Sequence, residues 1–130
     1  MTQATQVRDM AVIAVVDDDE SIRTALEGLL RSSGYQARTY ADALEFLGSS
    51  GPTEAHCLIS DIQMPGMCGL ELHERLIAMG FRIPTIFITA YHGVSPRVSP
   101  DTPGLVAYLP KPFEADKLLS CIETALREHP

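Results

Sequence analysis

Short, wholly apolar runs alternate along this chain with segments whose apolar residues recur at helical spacing. Residues 11–16 are all Ala, Val or Ile. A continuous run of that kind reads as a strand buried on both faces, as in a parallel sheet. Residues 56–60 and 84–88 read the same way, residues 106–109 more weakly, and residues 36–39 more weakly still. Between them lie helical stripes. Ile22, Ala25, Leu26, Leu29 and Leu30 repeat at i, i+3, i+4, i+7 and i+8, and Gly34 stands where a helix ends. Residues 41–47 read as a short helix stopped by Gly48-Ser49-Ser50-Gly51-Pro52. Residues 69–79 carry Leu72, Leu76 and Met79 on one face. Leu118, Ile122 and Ala125 mark a last helix. Five strands alternating with helices predict an α/β fold with a parallel sheet.

One segment interrupts the alternation. A helix is due between Thr89 and Val106, yet the chain there carries Pro96, Pro100 and Pro103. Proline lacks the amide donor and clashes with the preceding turn, at about 3 kcal/mol in a helix interior. Pro100 and Pro103 do not both fit one regular helix. An irregular proline-rich segment is therefore expected over residues 94–104, replacing most of that helix.

The bulk numbers narrow the class. With 130 residues, the chain is one domain, expected over residues 11–128 behind a polar lead at 1–10. Met1 and that lead suggest that the domain opens its protein. No apolar run approaches the roughly 20 residues of a membrane span, and the lead has no hydrophobic signal core. The net charge is −7 and the only lysines are Lys111 and Lys117, which argues against nucleic-acid binding by this domain. Cys57, Cys68 and Cys121 make an odd number with no close pair. Reduced, packed thiols in a cytoplasm are the simplest reading. His56, His73, His92 and His129 show no ligand spacing and read as surface or helix-face residues.

Chemistry-bearing residues gather at the ends of the apolar runs. Asp17-Asp18-Asp19-Glu20 follows the first run, and Asp61 follows Cys57-Leu58-Ile59-Ser60. Thr89 ends the next run, and Lys111 lies between Pro110 and Pro112 after the last. Open α/β sheets place their sites beyond the carboxyl ends of the strands, so one edge would collect all these groups. Asp17, Asp18 and Asp61 suit an octahedral oxygen-bound cation that keeps several waters. Without the ion their mutual repulsion should raise their pKa values. A carboxylate is also a nucleophile toward phosphorus, and Lys111 and Thr89 would meet the developing charge. Asp19 and Glu20 read instead as acids at a helix N-terminus.

Val15-Val16-Asp17-Asp18-Asp19-Glu20, Asp61-Ile62-Gln63-Met64-Pro65-Gly66-Met67-Cys68-Gly69, Ile88-Thr89-Ala90 and Lys111-Pro112-Phe113 together resemble the receiver domain of two-component response regulators. The resemblance spans residues 10–128 and is closest to receivers on transcription regulators with a LuxR-type DNA-binding domain. It implies a flavodoxin-like, doubly wound five-stranded parallel sheet in the order 2-1-3-4-5. It also implies that Asp61 accepts a phosphoryl group from a sensor histidine kinase. Asp18 and Asp61 would bind Mg²⁺, or Mn²⁺ in its place, together with the Gln63 backbone carbonyl and with Asp17 through water. Thr89 and Lys111 would take the phosphoryl oxygens, Lys111-Pro112 would be a cis peptide, and Tyr108 would move inward with Thr89. Tyr108 reads equally as a packed tyrosine. The implied setting is cytoplasmic, off the membrane, with a DNA-binding output domain in the full-length protein.

Two other function classes compete with that reading. A receiver-like interaction module independent of phosphorylation is the first, and it usually lacks one of the acids present here. A Mg²⁺-dependent phosphatase or phosphotransferase is the second. No residue offers itself as its general acid.

Overall fold

The computed structural model describes residues 11–89, 105–111 and 113–128. Five expectations lie outside them: the polar lead 1–10, the irregular segment 94–104, the Lys111–Pro112 peptide, and the placements of His92 and His129.

Five parallel strands form one sheet. They are β1 (Val12–Val16), β2 (Gln36–Tyr40), β3 (Cys57–Asp61), β4 (Thr85–Thr89) and β5 (Leu105–Pro110), in the order β2-β1-β3-β4-β5. Every residue of β1, β3 and β4 is buried, as expected of strands covered on both faces. β2 lies at an edge, and only Ala37 in it is fully buried. Its weak apolar signal in the sequence has that cause.

Helices cover both faces. α1 (Glu20–Ser32) and α5 (Ala115–Glu128) pack on one side, where Leu26, Leu30, Leu118, Ile122 and Ala125 meet Ile13, Val15, Ile59, Ile86 and Ile88. α2 (Ala43–Leu47) and α4 (Gly69–Ala78) pack on the other, where Phe46, Leu72 and Leu76 meet Ala14, Val16 and Leu58. Side chains of one strand thus enter two cores alternately, the consequence of a period of two.

The helix ends follow their capping chemistry. Asp19 caps α1, its Oδ1 accepting from the Ser21 amide at 2.9 Å and the Ser21 hydroxyl at 2.6 Å. Those bonds hold the Asp19 carboxyl below its ordinary range. Past α1, Gly34 adopts φ 93°, the left-handed turn that glycine makes without strain.

A fifth helical turn, α3 (Gly51–Glu54), was not expected. It opens on a proline in its first turn, the one helical place where the missing amide costs nothing. Cys57 lies in the first core with Cys121 packed against that core. Burial, reinforced by Cys121, pushes the Cys57 thiol up to about 12, so it packs as an inert residue.

Candidate functional site

Strand register brings the chemistry-bearing residues to one sheet edge. Val16 pairs with Ser60, so Asp17 lies level with Asp61. Asp61 pairs with Ile88, which puts Thr89 one residue further on. Thr89 pairs with Pro110, and Lys111 follows directly. Asp61 and Thr89 are the last residues of their strands, and Asp17 and Lys111 the first beyond theirs. The carboxyl ends of four strands therefore supply the site.

Lys111 ties the site together. Its Nζ donates to Asp17 Oδ2 at 3.0 Å and to Asp61 Oδ2 at 3.4 Å. Asp17 is fully buried, Asp61 nearly so, and Thr89 is 1% exposed. The Lys111 amide donates to the Thr89 carbonyl at 2.6 Å, which locks the lysine's backbone to the end of β4. On the far side of Asp61, its Oδ1 accepts from the Gln63 amide at 3.3 Å. Gln63 itself is exposed, and so is Asp18. Tyr108 is half-buried on β5, opposite Phe87.

Burial and charge act against each other here. Burial, then the negative charge of Asp17, raise the Asp61 pKa above its ordinary value, and Lys111 only partly offsets them. Burial alone would lower the Lys111 ammonium. Its bond to Asp17 and the charges of Asp61 and Asp17 outweigh that and hold it above its ordinary value. The site thus carries more acid than its one lysine neutralises.

A divalent cation fits this donor set. Asp17, Asp18 and Asp61 each offer one carboxylate oxygen, all within 4.8 Å of one another. The donors are hard oxygens, and exposed Asp18 leaves the cluster open to water, as Mg²⁺ requires. Added positive charge would also relieve the repulsion that raises Asp61.

Several supporting residues were not expected from the sequence. Arg23 Nη1 donates to the Asp17 carbonyl at 2.7 Å, and the Ser60 hydroxyl donates to the Asp61 carbonyl at 2.9 Å. Gly69, at the start of α4, lies hard against the end of β3. A Cβ there would overlap the Asp61 carbonyl oxygen and stand 3.0 Å from both Ile62 Cα and Ser60 Oγ. Only glycine permits that approach.

Two histidines lie where the sequence reading put them, His56 on the surface and His73 on a helix face, and both make contacts that the reading did not include. His73 is 4% exposed, its ring edge-on to Phe87 at 5.8 Å. It stands four residues after Gly69 on the face of α4 that also buries Leu72 and Leu76. His56 is exposed, but its Nδ1 accepts from the Val12 amide at 2.9 Å.

Known proteins share this fold. A family model described as the response regulator receiver domain matches residues 13–123. The response regulator protein TmoT of Ectopseudomonas mendocina is 37% identical over 92% of the chain and 54% of its own length. The structure of the response regulator StyR superposes with a TM-score of 0.85 at 42% identity, over 92% of this chain and 61% of that one. The response regulator TrrA of Thermotoga maritima, solved in complex with Mg(2+)-BeF, gives a TM-score of 0.78 at 30% identity, over 90% of this chain and 100% of its own. The chain spans about half the length of the curated relatives it matches.

Proposed function

The chain belongs to the response regulator receiver domain family, the phosphoacceptor modules of two-component signalling, and on that premise we propose that Asp61 is its acceptor. The observation that carries this reading is the single ammonium shared between two buried carboxylates, with a third acid beside them.

The residues divide the work as follows. An Asp61 oxygen attacks the phosphorus of a phosphohistidine on a sensor histidine kinase. The new O–P bond forms as the P–N bond breaks, and the imidazole leaves. Lys111 stands 3.4 Å from Asp61, where negative charge accumulates on the transferring group, and a fixed cation there lowers the barrier. The Thr89 hydroxyl takes a phosphoryl oxygen after transfer, and Tyr108 on the neighbouring strand follows that movement. Asp18, Asp61 and the Gln63 backbone carbonyl would hold Mg²⁺, with Asp17 contributing through water; Mn²⁺ is the alternative ion. When bound, the ion supplies positive charge against the carboxylates and the phosphoryl oxygens.

In the full-length protein the domain answers to such a kinase and controls a DNA-binding output domain. The half-length match to its relatives supports that arrangement. A cytoplasmic setting belongs to the same reading, and the free thiols Cys57, Cys68 and Cys121 suit it. No helix among the described residues is long and apolar enough to cross a membrane.

Incubation with acetyl phosphate tests the reading. A Mg²⁺-dependent adduct, stable in acid and labile in base, is the expected product. No adduct at any Mg²⁺ concentration would leave a module that acts by contact alone.

A further inference from the structure

Asp17 is held at every polar atom it has. Its amide donates to the Tyr40 carbonyl at 3.2 Å. Its Oδ1 accepts from the Asp19 amide at 2.9 Å, and its Oδ2 from Lys111 at 3.0 Å. Its backbone carbonyl accepts from Arg23 Nη1 at 2.7 Å. Three of these partners are expected for a buried acid at a strand end. The fourth is a charged side chain that bends back from the first turn of the following helix.

The consequence lies in the peptide plane. The carbonyl of Asp17 and the amide of Asp18 belong to one rigid unit. A donor fixed on that carbonyl therefore fixes the direction in which the chain enters Asp18. Asp18 is exposed, and its backbone sets the Cα–Cβ direction from which its carboxylate reaches the cluster. Arg23 is itself half-buried and anchored, its amide bonded to the Asp19 carbonyl at 3.1 Å. A guanidinium on a neutral carbonyl makes a short, charge-assisted bond with defined direction.

We propose that Arg23 is a positioning residue for the cation site: through the Asp17 carbonyl it aims the Asp17–Asp18 pair so that their carboxylates converge with Asp61. This rests on the reading of the site as a Mg²⁺-dependent phosphoacceptor. Arg23 is not one of the oxygen donors of the cluster and would hold neither the ion nor the phosphoryl group. Its loss should therefore weaken ion binding without removing any reacting group.

Titration of the purified domain with Mg²⁺, followed by amide chemical shifts, separates the possibilities. Arg23→Ala should weaken binding by roughly tenfold, the usual effect of removing a group that orients a metal ligand. Arg23→Lys should recover part of the loss, because a lysine keeps one charged donor. A purely structural arginine would lower the melting temperature and leave the Mg²⁺ titration unchanged, and that result overturns the proposal. If Arg23→Ala does not fold, Arg23→Met, which keeps length but no donor, takes its place, and wild-type affinity there overturns the proposal equally. A wild-type domain that binds no Mg²⁺ would instead overturn the reading of the site, and this role with it.

Discussion

Replacing Gly69 with alanine should damage both stability and chemistry, whereas the same change at Gly28 should help stability. At Gly69 the added methyl would overlap the Asp61 carbonyl oxygen and press on Ile62 Cα and Ser60 Oγ at 3.0 Å. The first two are backbone atoms, so no side-chain rotation relieves them. The start of α4 must part from the end of β3, straining the 2.8 Å bond from the Gly69 amide to the Ile62 carbonyl. Overpacking of this kind costs about 1–3 kcal/mol, and backbone neighbours place it in the upper part of that range. Gly28 lies inside α1 with nothing within 4 Å of a Cβ. Alanine there should gain about 0.5–1 kcal/mol from helix propensity. The two variants should differ by roughly 3 kcal/mol, or on the order of 10 °C in melting temperature for a domain of this size. Urea denaturation of the Mg²⁺-free protein measures the gap. The rate of phosphorylation by acetyl phosphate measures the chemistry, since displacing Asp61 by about 1 Å should slow transfer by roughly 100-fold. A Gly69→Ala protein as stable as wild type and equally reactive would refute the close packing of α4 on the acceptor.

Three further outcomes follow from the charges. Asp61 holds its proton to higher pH in the folded chain than in the unfolded one, so its contribution to stability falls as pH rises from the ordinary carboxylate range through the raised value. Asp61→Asn without Mg²⁺ should therefore be more stable than wild type at pH 7, the advantage shrinking toward pH 4 in parallel urea titrations. Asp18→Ala should weaken Mg²⁺ binding and barely touch stability, whereas Asp19→Ala should lower the melting temperature as a lost helix cap and leave binding nearly intact; calorimetric titration paired with thermal melts distinguishes the two. Lys111→Ala should fold, as circular dichroism will report, but lose about 100-fold or more in phosphorylation rate, the scale of removing one donor from a developing charge.

How much of this was legible depended on what each element buries. β1, β3 and β4 are covered on both faces and write an unbroken apolar run. β2 has one neighbour and keeps Gln36 and Arg38 exposed, so Gln36-Ala37-Arg38-Thr39 carries little pattern. α3 hides in a stretch of helix breakers because a single turn starting at Gly51 tolerates Pro52 in its first positions. The convergence of Asp17, Asp18, Asp61, Thr89 and Lys111 was readable because parallel strands must present their ends together. Arg23 was not, since a side chain that binds a backbone carbonyl leaves no spacing to recognise. A helix starting near Asp19 would still have placed it in the first turn, beside the acids. His73 stands four residues from Gly69 on the buried stripe of α4; its position was legible, and its residue type concealed it. Nothing in the strand periodicity separates Tyr108 the switch from Tyr108 the packed tyrosine, and its half-buried place opposite Phe87 suits both.

The central claim is that Asp61 carries the phosphoryl group, and locating the adduct tests it most directly. The protein is labelled with acetyl phosphate and Mg²⁺, the acyl phosphate is reduced with borohydride, and the peptides are mapped by mass spectrometry. The account predicts modification at Asp61 alone and none in Asp61→Asn. Full labelling of Asp61→Asn, or an adduct that maps to Asp17 or Asp18 in the wild type, would contradict it.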